Sequence, residues 1–177
     1  EKANSHEYTA LVFDQLLIEI HRLLVDVSVD YPVPNRISLE TTQSLIEDFM
    51  SVRSGGDRAE TVCTALFRTI GEEFGLFDRV EREKVNAADA ASGKLADIEC
   101  WSGDEIVLLV EVKDRVLTLT HVDSKLGRAR ADGISEIIFI AEHGVEPSEA
   151  DQVAATVSSE FRSGQNIYIT SLSSFSL

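Results

Sequence analysis

With 177 residues, 16 Lys and Arg against 31 Asp and Glu, and a formal net charge of −15, the chain is too acidic to hold nucleic acid by bulk charge alone. Its 44% hydrophobic and 27% charged residues are those of one soluble domain with a proper core. No stretch approaches the roughly 20 apolar residues of a membrane span, and no basic-then-apolar leader pattern opens it, so a cytoplasmic protein without membrane attachment is expected. It begins at Glu1 rather than Met, as a fragment or a processed chain would.

Residues 6–27 place Leu11, Val12, Leu16, Ile20, Leu23 and Leu24 at helical spacing, which predicts a long amphipathic helix. Tyr31-Pro-Val-Pro-Asn breaks the chain, because proline lacks a donor and restricts its predecessor. A second helix is expected over 38–52, and Ser54-Gly-Gly then punctuates. Residues 1–53 therefore read as a helical extension and 54–177 as an α/β core. The core opens with a helix over 57–74, whose stripe is Val62, Cys63, Leu66, Phe67, Ile70 and Phe74. Strands follow at 77–84, 95–101 and 106–113, with a small-residue loop at 85–93. A short helix near 122–131, a strand at 136–141, a helix near 147–162 and a strand at 166–170 complete a mixed sheet. Cys63 and Cys100 fall on apolar faces with no CxxC neighbour, as reduced core thiols do.

The third strand carries the chemistry. Five apolar residues, 106–110, run straight into Glu111-Val-Lys113. Burying a carboxylate and an ammonium there is costly unless they are paired or bind a metal. A turn at Gly103-Asp-Glu105 would pair Ser102 with Ile106 and set Asp97 opposite Glu111, with Cβ atoms about 4.5–5.5 Å apart. Asp97 and Glu99 would share one face, and Glu111 and Lys113 another. Two carboxylates that close repel each other, and a divalent cation that keeps several waters, Mg²⁺ above all, relieves them. The plain alternative is a solvent-facing Asp97 beside a Glu111–Lys113 ion pair.

Ala96-Asp97 and Glu111-Val-Lys113, in this order of elements, resemble the PD-(D/E)XK nuclease superfamily over about residues 57–142. The resemblance implies a restriction-endonuclease-like fold and Mg²⁺, or Mn²⁺ in its place, held by Asp97 and Glu111. It implies that Lys113 assists the attacking water and that Glu60, on the preceding helix, tunes the metal site. Asp57-x-x-Glu60 equally fits a capping box that only closes the helix start. Ala96 replaces the usual proline. The glutamine found on the next helix in some branches is absent, where this chain offers Lys125, Arg128 and Arg130.

Of the 16 basic residues, 11 lie within 57–145, and Arg115, Lys125, Arg128 and Arg130 are the candidates to meet nucleic acid; a solvated face is the bland reading of the same charges. Asp123-Ser-Lys125 repeats the acid-x-Lys spacing without a strand, a decoy for the true site. His121 and His143 read as surface histidines, since no tight cluster of ligands surrounds them. The expected function is a Mg²⁺-dependent endonuclease acting on DNA in restriction or phage defence. The competing reading is the same fold with a weakened site, serving as an assembly module in a larger complex. The helices at 6–27 and 38–52 are the candidate surface for a homodimer, because two-fold symmetry matches that of a duplex.

Overall fold

A computed structural model describes residues 12–17, 36–52, 54–82 and 94–175. The chain divides into two compact units, 1–38 and 39–177. In the first, residues 12–17 are helical; the rest of the helix expected over 6–27 lies outside the described residues, as do the loop at 85–93 and the end of the strand expected to reach residue 84.

The second unit holds all the elements named below. Helix α1 (Leu39–Met50) packs beside α2 (Asp57–Phe74), and the strands β1 (Arg79–Arg82), β2 (Ile98–Ser102) and β3 (Glu105–Lys113) follow. Then come α3 (Leu119–Ala131), β4 (Glu136–Ala141), α4 (Ala150–Arg162), β5 (Asn166–Thr170) and a short 3₁₀ turn, Leu172–Phe175. The sheet runs β1-β2-β3-β4-β5. β1, β2 and β3 form an antiparallel meander, whereas β3, β4 and β5 are parallel and joined through α3 and α4. This is the mixed α/β architecture of a restriction-endonuclease-like domain.

Two apolar cores sandwich the sheet. Cys63 and Phe67 of α2 meet Val80, Ile98, Cys100, Val110 and Val112 on one face. On the other, Val122, Leu126 and Ala129 of α3 and Val153 of α4 meet Leu109, Ile137 and Phe139. Side chains alternate along β3, so Val110 and Val112 turn to α2 while Leu109, Glu111 and Lys113 turn to α3. Both cysteines are free and fully buried, and burial pushes each thiol up to about 12.

The β2–β3 hairpin differs from expectation in an instructive way. The loop is the two-residue Gly103-Asp104, with Ser102 opposite Glu105, and Gly103 takes the positive φ of 61° that so short a turn demands at its first position. A bulge between Cys100 and Trp101 then restores the alignment, setting Cys100 opposite Leu108 and Ile98 opposite Val110. The inner half thus runs in the register that brings Asp97 level with Glu111. Asp97 itself sits in a bend, 95–97, just before β2, rather than inside a strand.

The α2 core yields a sign-deciding test. Glycine inside a helix ordinarily costs about 1 kcal/mol relative to alanine. A Cβ on Gly71, however, would lie 2.6 Å from the Phe77 ring and 2.8 Å from its carbonyl oxygen. Gly71→Ala should therefore lower the unfolding free energy by about 1–3 kcal/mol, the range for overpacking. Urea denaturation checks it, and a more stable variant would contradict the packing described.

Candidate active site

Glu111 stands at the heart of the site. It is 6% exposed, near the end of β3, on the face turned to α3. Two ammonium groups grip it: Lys113 Nζ at 2.5 Å from Oε1 and Lys125 Nζ at 2.5 Å from Oε2. The first is a hydrogen bond. The second is an ion pair on the buried Oε2. Burial alone would raise the Glu111 pKa, but Lys125 and Lys113 outweigh it and hold the carboxyl below its ordinary range.

Asp97 is the opposite case. Burial first, and the Glu111 charge second, push its pKa up to about 6. The Val112 N–H, donating to Asp97 Oδ2 at 2.8 Å, and Lys113, whose Nζ lies 4.0 Å from the same oxygen, only partly offset this. Asp97 and Glu111 are therefore close enough to repel, and Lys113 lies between them. A cleft of about 200 Å³ opens here, lined by Asp97, Glu111, Lys113, His121, Lys125 and Arg128 among others. A second, of about 350 Å³, is bounded by Gly56, Glu60, Asp97, Lys113 and Arg115. Asp97 and Lys113 line both.

Other expected residues fall in different places. Glu60 faces the second cleft, but Arg82 Nε and Nη2 both reach its Oε2 at 3.1 Å. The capping box is absent: Gly56, at φ 100°, is the N-cap of α2, and no side chain caps it. Arg115 and Arg128 are exposed at the rims of the clefts. Arg130 points away and pairs with Glu160 of α4. Lys125 differs from the solvated helical position expected of it, and it lines the first cleft. It is 9% exposed, because the stripe of Val122, Leu126 and Ala129 docks α3 with this side chain turned towards β3.

Sequence reasoning read His121 as a surface histidine, placed Glu99 only on the face of Asp97, and did not single out Lys94. His121 makes a capping box with Thr118 at the start of α3, and burial, then Arg115 and Lys113, lower its pKa. The signal for it was present: His121, Lys125 and Arg128 lie four and three residues apart, on one helical face. Lys94 bridges Glu81 at 2.6 Å and the buried Glu99 at 3.0 Å.

A family model of the SacI restriction endonuclease C-terminal domain matches residues 36–144. The chain belongs to this family. The matched span runs from before α1 past β4 and takes in Glu60, Asp97, Glu111, Lys113 and Lys125, so the restriction endonuclease family and the cleft coincide on the same stretch of chain. No curated protein matches the chain.

The acidic donors of the cleft are carboxylate oxygens, the kind a hard cation takes. Among the described residues no three or more His, Cys, Asp or Glu converge as metal ligands. Two carboxylates, Asp97 and Glu111, do line one cleft, and Asp97 is destabilised there first by burial and then by the Glu111 charge, so oxygen donors that a hard cation could use are present.

The raised Asp97 pKa has a stability consequence in chelator, with a definite sign. Below about pH 4 Asp97 is neutral both folded and unfolded, and its burial carries no charge penalty. Between about 4 and 6 the native state binds the extra proton, so stability falls as pH rises, and above 6 the whole penalty is present. Asp97→Asn should therefore be more stable than wild type at pH 7.5, by on the order of 1–3 kcal/mol. That advantage should fade by pH 4. Thermal melts across this range check it; an advantage independent of pH would refute the charged, repelled Asp97.

Proposed function

We propose that this chain is a Mg²⁺-dependent endonuclease domain of the PD-(D/E)XK type, hydrolysing DNA phosphodiester bonds in a restriction system. One observation carries the reading: Asp97, Glu111 and Lys113 converge where two clefts meet, in a chain of a restriction endonuclease family. Asp97 and Glu111 would hold the cation, with Mn²⁺ able to replace Mg²⁺. When bound, it supplies Lewis-acid stabilisation of the phosphate charge and lowers the pKa of a water.

The two lysines on Glu111 divide the remaining work. Lys125 is tied to the Leu95 carbonyl at 2.6 Å and stays where it is. Lys113 is hydrogen-bonded to Glu111 alone among the described residues and has the more exposed side chain, 17% against 11%. Lys113 is thus the ammonium able to turn to the attacking water or to the developing oxyanion. Arg115 and Arg128, at the rims, would take the flanking phosphates as charge-assisted contacts.

Cleavage of supercoiled plasmid in Mg²⁺, and separately in chelator, tests this. Asp97→Ala, Glu111→Ala and Lys113→Ala should each slow cutting by about 10²–10³ or more while the far-ultraviolet circular dichroism is unchanged. Asp123→Ala and Arg130→Ala should cut like wild type. Unimpaired cutting by Asp97→Ala would place the chemistry elsewhere, and a wild type inert in both Mg²⁺ and Mn²⁺ would leave a binding module.

A further inference from the structure

Asp97 owes its position to a bend that has no ladder of its own. Residues 95–97 precede β2, so their backbone groups must find partners elsewhere. Leu95 finds two, both charged side chains. Its N–H donates to Glu99 Oε1 at 2.7 Å, and its carbonyl accepts from Lys125 Nζ at 2.6 Å. Glu99 is 3% exposed and Lys125 9%. Charge-assisted hydrogen bonds in such surroundings are short and strong.

The fold alone does not call for either charge. Lysine and glutamate are almost never buried unless paired, and an apolar side chain of similar volume often serves stability as well or better. What the Lys125 ammonium adds is a link between separate segments. One nitrogen touches the Leu95 carbonyl, two residues before one acid, and the carboxylate of the other acid, Glu111. Glu99 holds the same bend from its opposite side and is itself fixed by Lys94, which Glu81 of β1 secures.

We propose that Lys125 and Glu99 are positioning residues that clamp the peptide of Leu95 and thereby set Asp97 at cation-sharing distance from Glu111. The catalytic consequence rests on the nuclease reading above; the clamp itself does not. It works from α3 on one side and β2 on the other, so the two acids keep their spacing without a strand beneath Asp97.

The Val112 amide reports this directly. It donates to Asp97 Oδ2, beyond the end of β2, so its hydrogen exchange measures how firmly Asp97 is seated. Metal-free protein in chelator would be compared by NMR as wild type, Lys125→Met, Glu99→Ala, Glu99→Gln and Asp123→Ala. Lys125→Met and Glu99→Ala should speed Val112 exchange by about tenfold, the ratio one hydrogen bond of ordinary net strength sustains. Leu109 and Val110 should keep their protection, and melting should stay cooperative. Glu99→Gln, whose one amide oxygen can accept from Leu95 while its NH2 then faces the Lys94 ammonium, should fall between wild type and Glu99→Ala, and Asp123→Ala should match wild type. Mn²⁺ titration of Glu99→Ala, which leaves both ammonium groups on Glu111 in place, should show weaker binding by a similar factor. Unchanged Val112 exchange in both overturns the clamp, and if Lys125→Met does not fold, Glu99→Ala decides from the other side of the bend. A wild type that neither binds Mn²⁺ nor cuts DNA overturns the nuclease reading instead, and the Val112 result still judges the clamp.

Discussion

A carboxylate buried near the end of a central strand, gripped by ammonium groups from two elements, sets the terms for the rest of this molecule. Removing one partner from such a pair typically costs 3–5 kcal/mol, because the other charge is left uncompensated, whereas an exposed pair is worth about 0–1 kcal/mol. Glu111 is 6% exposed and belongs to the first class. Its strand neighbour Lys113 comes with the sequence at no topological cost. Lys125 does not: it requires the β3–α3–β4 crossover to place one helical face over one strand end. The apolar stripe Val122, Leu126 and Ala129 does this by docking on Leu109, Ile137 and Phe139. Hydrophobic packing thus positions the charge, and the charge in turn tolerates only that docking.

The two acids are kept in deliberately unequal conditions. Glu111 is over-neutralised by two lysines, and Asp97 is under-neutralised, buried against a like charge with one amide and a more distant ammonium. An apo protein designed for stability alone would relax this, for example with an asparagine at 97. Local frustration of this kind is what a cation site requires, since binding energy comes from relieving a charge that the fold has left unrelieved. Glu60 adds a smaller repulsion of its own to Asp97 across the second cleft, but it is also held elsewhere. Arg82 satisfies it at both Nε and Nη2, tying α2 to β1 instead.

Much of this was legible in the sequence because it is local. The uninterrupted apolar run of 106–110, the stripe of 57–74 and the strand at 136–141 announce their elements through periodicity, and the acid-x-Lys at the end of the run lines the candidate cleft. The hairpin was legible only in outcome. A two-residue turn followed by a bulge gives the same inner register as a three-residue turn without one, and no pattern of residues separates the two. Lys125 was misread for a related reason. Its immediate context, Asp123-Ser-Lys, is that of a solvated helix, and what brings it to Glu111 is the face on which α3 docks. Spacing to His121 and Arg128 held that information, but only once β3 was known to lie beneath. Glu99 is the same lesson on a strand: alternation puts it on a face with Asp97, yet its use as an acceptor for Leu95 N–H belongs to the bend, which has no periodic signature.

Net charge is a poor guide to what this cleft attracts. The chain carries −15 in total, yet three of its five lysines, Lys94, Lys113 and Lys125, line one cavity, with Arg128 on its rim and Arg115 beside the adjoining one. Surface acids elsewhere act through water and salt, where charges more than a Debye length away, about 8 Å at physiological ionic strength, are largely screened. The lysines act within a partly enclosed space where screening is weak. On the nuclease reading, the acidic exterior would discourage loose association along a polyanion, and the cleft alone would favour it. Such a protein depends on fitting the backbone into the cleft rather than on skating along it by bulk attraction. On that reading the burden of affinity falls on the same few side chains that would carry the chemistry, and buried charges at the bend would hold Asp97 where an ordinary loop would leave it free.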